Sequence, residues 1–92
     1  MKTVTLQIGN SDDKLTQLEW ATFIARVKDL LEETAGTVVH FFGCSYGIEC
    51  WQNACWVFET ENPIQICVEM KKLREKYKQD SVAWTEGGTA FI

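Results

Sequence analysis

Proline and histidine are nearly missing from this sequence: Pro63 and His40 are the single examples of each in 92 residues. With one proline and no serine- or glycine-rich run, the chain has no linker, repeat or low-complexity segment. Its length therefore makes one domain with one core. With one histidine, a mixed cysteine–histidine zinc site would need unusual spacing. A basic excess is missing as well, since nine Lys and Arg face thirteen Asp and Glu for a net charge of −4. That excludes the usual electrostatics of a duplex nucleic-acid binder. Long apolar runs are also missing. Met1–Gln7 alternates polar and apolar residues, which suits neither a signal peptide nor a membrane span, and a cytoplasmic location is the expectation.

What is plentiful is tryptophan and cysteine, four of each. Cys44, Cys50, Cys55 and Cys67 match no C-x2-C metal hook or redox pair. They read as buried thiols acting as small hydrophobes, with a Cys44–Cys50 bridge across a hairpin as the alternative. No metal and no cofactor is expected.

Six elements follow from the pattern. Val4, Leu6 and Ile8 alternate with Thr3, Thr5 and Gln7 as a strand over 3–8, and turn formers follow from Gly9 to Lys14. Thr16-Gln17-Leu18-Glu19 is a capping box, flanked by Leu15 and Trp20 as a hydrophobic staple. Trp20, Phe23, Ile24, Val27 and Leu31 then recur at helical spacing, which predicts a helix over 16–35 stopped at Gly36. A second strand spans Thr37–Gly43, and a hairpin connection over 44–49 leads to a third strand over Trp51–Glu61. Asn62 as N-cap and Pro63 at the first helical position open a second helix, with Ile66, Cys67, Met70, Leu73 and Tyr77 as its apolar stripe. The last strand starts at Ser81–Thr85 and is interrupted at Gly87-Gly88 before Thr89–Ile92.

The order β-α-β-β-α-β predicts an α+β, ferredoxin-like two-layer sandwich over 1–92, with two helices on one face of a four-stranded antiparallel sheet. Strand directions then gather the turn after strand one, the hairpin and the turn before strand four at one end. Asn10, Ser11, Asp12, Lys14, Trp51, Gln52, Asn53, Gln79 and Asp80 form a rim there. Donors, acceptors, a cation and an aromatic plate are what a small polar ligand needs. The same residue types also serve as ordinary turn and cap chemistry. Trp20 belongs to the staple and Trp56 and Trp84 to the sheet, which leaves Trp51 for the rim.

Val38, Val39, Phe41 and Phe42 on strand two, and Cys55 to Phe58 on strand three, place large apolar groups on both faces of the sheet. The helix-free face is therefore expected to be covered, most simply by a second copy in a two-fold homodimer or higher homo-oligomer with sheets facing. Residues 69–78 carry Lys71, Lys72, Arg74, Lys76 and Lys78 against Glu69 and Glu75, a local +3 that leaves the remainder at −7. A Lys71–Glu75 pair supports this helix, and Lys14 with Lys78 could steer an anion to the rim. Catalysis is not expected. His40 is placed inside a strand away from Ser11 and Ser81, the neighbours Asp12 and Asp13 diverge, and no glycine-rich phosphate loop exists.

The string Leu6-Gln7-Ile8-Gly9-Asn10-Ser11-Asp12-Asp13-Lys14-Leu15-Thr16-Gln17 resembles a small family of phage- and prophage-type proteins. Trp51-Gln52-Asn53-Ala54, Gln79-Asp80-Ser81-Val82-Ala83-Trp84 and Thr89-Ala90-Phe91-Ile92 extend the likeness over nearly the whole chain. Small phage proteins often counter host defences, some by trapping nucleotide immune signals. The resemblance thus implies a non-enzymatic anti-defence protein of the host bacterial cytoplasm that acts as a sponge for a nucleotide-derived signal. The alternative is an oligomeric protein that binds and inhibits a host protein through its apolar sheet face.

Overall fold

Lys2–Gly9 forms β1, and its alternation is used as written: Val4, Leu6 and Ile8 are buried while Gln7 is exposed. The computed structural model describes residues 2–46 and 51–92, with Ser11 described by its backbone alone. After a single 3-10 turn at Ser11–Asp13 comes α1, Gln17–Glu33. Its capping box is complete. The Glu19 N–H donates to Thr16 Oγ1 at 3.1 Å and the Thr16 N–H donates to Glu19 Oε1 at 3.0 Å. Both staple residues, Leu15 and Trp20, lie in the core.

The helix ends two residues before the expected boundary. Thr34 donates from its backbone N–H and from its hydroxyl to the Leu30 carbonyl, at 3.1 and 2.7 Å, and so closes the last turn. Gly36 then turns the chain at φ 70, where a Cβ would stand 2.6 Å from the Glu61 carboxylate. Only glycine fits there without displacement.

β2 is Thr37–Cys44 and β3 is Asn53–Thr60, so Trp51 and Gln52 lie in the connection and not in the third strand. α2 is Pro63–Lys76. Asn62 occupies the N-cap position without a side-chain cap bond; its Nδ2 instead donates 2.6 Å to the Ala35 carbonyl, fastening the ends of the two turns together. Ile66, Met70 and Tyr77 are buried and Leu73 is partly buried, but Cys67 is exposed and leaves the expected stripe. The Lys71–Glu75 pair is replaced by Lys72–Glu69 at 3.0 Å and Arg74–Glu75 at 3.7 Å.

β4 is Ala83–Gly88, running through both glycines opposite Thr3 and Lys2 of β1. No interruption occurs at Gly87-Gly88. Thr89–Ile92 lies beyond the strand, held at its start by a Thr3–Thr89 hydroxyl hydrogen bond.

The four strands form one antiparallel sheet in the order β2-β3-β1-β4, the ferredoxin-like arrangement. Leu6, Trp56 and Phe58 from the sheet and Phe23, Val27, Leu31, Ile66 and Met70 from the helices make the core. Phe23 stacks on Tyr77 at 4.7 Å and so ties α1 to the end of α2.

The cysteine reading changes. Cys44 and Cys67 are exposed and Cys55 is half-buried, all as free thiols, and Cys50 lies outside the described residues. The helix-free face is apolar on its β2–β3 half and polar on its β1–β4 half. Opposite residues on antiparallel strands share a face. The register therefore puts Val38, Phe41, Cys55 and Val57 on that face, and Thr3, Thr5, Gln7 and Thr85 on its other half.

Candidate functional site

Three connections meet at one end of the sheet. The Asn10 N–H donates 2.9 Å to the Gln52 carbonyl, joining the exit of β1 to the entry of β3. Ser45 and Asn53 close the hairpin stem, with the Ser45 N–H on the Asn53 carbonyl at 2.8 Å and the Asn53 N–H on Ser45 Oγ at 3.0 Å. On the third side, Arg74 Nη1 donates to the Gln79 and Asp80 carbonyls at 3.1 and 3.2 Å, folding the α2–β4 turn back on its helix. Lys14 Nζ reaches Asp80 Oδ1 at 3.3 Å across the rim. The antiparallel topology thus brings together the segments that the strand directions predict.

The rim has two layers. Its floor is an amide network. Asn10 accepts from the Leu15 N–H at 3.0 Å and donates through Nδ2 to the Leu15 carbonyl and to Gln52 Oε1, each at 3.2 Å. Gln52 exchanges two further bonds with Gln17, at 2.9 and 3.0 Å. Asn10, Gln52 and Gln79 are all buried, and Gln79 Nε2 donates 3.0 Å to the Tyr77 carbonyl. Buried amides must be bonded or they cost stability, and these are bonded mainly to one another and to backbone. Three of the nine rim residues therefore support the surface from below. Gln17 joins them, and no signal in the sequence beyond its place in the capping box marks it.

The upper layer is exposed: Asp12, Asp13, Lys14, Trp51, Asn53 and Asp80. Asp12, Asp13, Trp51 and Lys78 have φ of 56, 51, 68 and 58 degrees. They are all of the non-glycine residues in the left-handed region among those described, and each sits in a rim connection or beside it. For a bulky residue such as tryptophan this conformation costs about 1–2 kcal/mol. It nevertheless presents Trp51 with 85% of its surface open. Asn53 Nδ2 donates 3.1 Å to the Trp51 carbonyl and holds that conformation. Two adjoining shallow concavities flank the indole. One, of about 490 Å3, is lined by Gly9, Asn10, Asp12, Gln52, Asn53 and Asp80 with Trp51, and the other, of about 380 Å3, by Asn10, Asp12, Asp13 and Trp51. Both volumes suit a small-molecule ligand.

The electrostatics differ from expectation. Lys14 is engaged by Asp80, and the charge of Lys78 acts on Glu19. Hydrogen bonding to the Thr16 backbone, then to its side chain, with a smaller contribution from Lys78, holds the Glu19 carboxyl below its ordinary value. With Lys14 and Asp80 offsetting each other, Asp12 and Asp13 leave the rim acidic, and it is no steering field for a highly charged anion. Among the described residues no three His, Cys, Asp or Glu side chains converge as a metal site. His40 Nε2 lies 3.7 Å from Glu59 Oε2, paired across the sheet with a carboxylate.

No protein-family model and no curated protein matches this chain.

Proposed function

We propose that this chain is a non-enzymatic binding protein that sequesters a small polar ligand carrying an aromatic ring, a nucleotide-derived signal being the class that fits best. The observation that carries the reading is Trp51, an indole held open at positive φ beside a buried, hydrogen-bonded amide floor. Strain of this kind collects where surrounding structure over-determines a conformation for use. Base stacking on such a plate contributes about 1–3 kcal/mol. Asp12 and Asp80 suit ribose hydroxyls, Asn53 suits a base edge, and Lys14 can exchange Asp80 for a single phosphate. Cyclic or singly charged nucleotides are favoured over triphosphates because Asp12 and Asp13 leave the site with a negative excess. The resemblance to phage proteins makes anti-defence capture of a host immune signal in the bacterial cytoplasm the setting we favour.

Mass spectrometry of small molecules copurifying with the protein from bacterial cells tests this. A ring-containing ligand retained by the native chain, lost from Trp51→Ala and unchanged in mass after incubation supports sequestration. A ligand that returns chemically altered points to an enzyme, and the absence of any ligand from folded protein counts against a sponge.

A second reading, an interaction protein that inhibits a host protein through its apolar sheet face, is favoured by the exposure of Phe41 beside Val57. A stoichiometric host protein retained by the native chain and released by Phe41→Glu would support it.

A further inference from the structure

The two edges of the sheet are built differently. β4 is the shorter, six residues with Glu86, Gly87 and Gly88 at its end, which makes a poor template for pairing. β2 is eight residues long and carries Val38, Val39, Phe41 and Phe42, with exposures of 57, 38, 55 and 45%. It has no lysine or proline to blunt it, and among the described residues no strand pairs with its outer side. One long apolar edge per chain is a liability unless something covers it.

The bulge between Val39 and Phe41 decides what fits. Val39 pairs with Phe58 and Phe42 with Trp56, so both lie on the helix side despite being three residues apart. Val38 pairs with Glu59 and Phe41 with Val57 on the other side. Each face of the edge therefore shows one valine and one phenylalanine, and on the helix side Val39 and Phe42 are placed evenly about the strand's middle. On the helix side α1 leaves a groove of about 130 Å3 between Ile24, Leu31, Val39, Phe42 and Trp56. Lys28 and Glu32 border it as a pair 3.8 Å apart on the exposed side of α1.

We propose that β2 pairs antiparallel with β2 of a second copy, joining two sheets into one of eight strands. A two-fold axis through the middle of β2 sets Val39 beside the partner's Phe42 on the helix side, and the reciprocal contact fills both grooves. The same axis runs the two α1 helices antiparallel and brings Lys28 of each toward Glu32 of the other. The charges are complementary in that arrangement. Because each chain offers one unprotected edge, the assembly closes at two copies. The two rims then lie at opposite ends of the joined strands, so this inference stands independently of the rim's ligand.

Sedimentation equilibrium of the full chain, with variants, tests it. The native chain is expected at twice its 10.5 kDa mass at micromolar concentration. Val39→Lys, at an exposed edge position on the helix side, weakens the dimer by about tenfold or more with the fold intact by circular dichroism. Lys28→Glu and Glu32→Lys each weaken self-association, and mixing the two variants restores it as a heterodimer. A 10.5 kDa species at all concentrations overturns the proposal. So does a dimer that tolerates all three variants, and one that yields to Val57→Lys on the helix-free face alone. Trp51→Ala is expected to dimerise as the native chain does, so loss of ligand and loss of the dimer are read separately.

Discussion

Gln17 and Gln52 face each other across the top of the core and exchange hydrogen bonds in both directions, Gln52 Nε2 to Gln17 Oε1 at 2.9 Å and Gln17 Nε2 to Gln52 Oε1 at 3.0 Å. This pair locks the first turn of α1 to the entry of β3, and through Asn10 it reaches the end of β1. Gln52 is buried and Gln17 is exposed. Removing them is therefore unequal. Gln52→Ala leaves the Asn10 amide without one acceptor in a buried place, and a loss of about 1–3 kcal/mol is expected in urea unfolding. Gln17→Ala is expected to cost under about 1 kcal/mol, because water replaces the lost partner at the surface.

Trp51 behaves in the opposite way. Its ring is open and its backbone is strained, so Trp51→Gly is expected to change stability by no more than about 1 kcal/mol in either direction. Ligand affinity is expected to fall at least about tenfold with the stacking plate gone. Thermal unfolding and calorimetry on the same sample separate the two effects. A large stability loss in Trp51→Gly would show that the indole is a packing residue.

The capping box gives a pH prediction. Folding holds the Glu19 carboxyl below its ordinary value, chiefly through its bond to the Thr16 backbone. The group therefore binds a proton less readily in the folded chain than in the unfolded one. Its contribution is complete above the unfolded value of about 4.3 and is lost as pH falls through the lower folded value. Glu19→Gln is expected to be less stable than the native chain at pH 7, with the difference narrowing as pH is lowered into the acid range, by urea midpoint. Thr16→Ala is expected to lose about 1 kcal/mol at pH 7.

Cys67 supplies a chemical check on how α2 lies over β4. The residue is exposed, but limited desolvation of its thiol, with the Glu86 carboxylate adding, pushes it up from the ordinary value. Labelling by iodoacetamide at pH 8 is expected to be slower than for an unperturbed cysteine and to accelerate at higher pH. Glu86→Gln is expected to speed it. Unchanged labelling in that variant would separate the two residues.

What could be read in the sequence was local or directional. The alternation of Val4, Leu6 and Ile8 and the Thr16–Glu19 box are decided within a few residues, and both hold in the structure. The gathering of Asn10, Gln52 and Asp80 at one end followed from counting strand directions. What could not be read depends on pairing. Gln17 and Gln52 are 35 positions apart, and nothing in either segment announces the other. The bulge after Val39 shifts which residues of β2 face the helices, and alternation cannot reveal a shift that β3 imposes. Cys67 sits next to Ile66 on the helix, yet α2 buries a narrower face than the apolar residues span. The pairing of Lys14 is hidden too, because it counts as a free cation in the sequence while Asp80, 66 positions away, meets it in the fold.

The binding role of the rim is tested most directly by tryptophan fluorescence during titration with a panel of cyclic and ADP-ribose nucleotides. Trp51 is by far the most exposed tryptophan, so its emission lies furthest to the red. Saturable quenching of that red component by at least one compound, absent in Trp51→Ala, is the expected result. Folded protein that shows no quenching and no heat across the whole panel would contradict it.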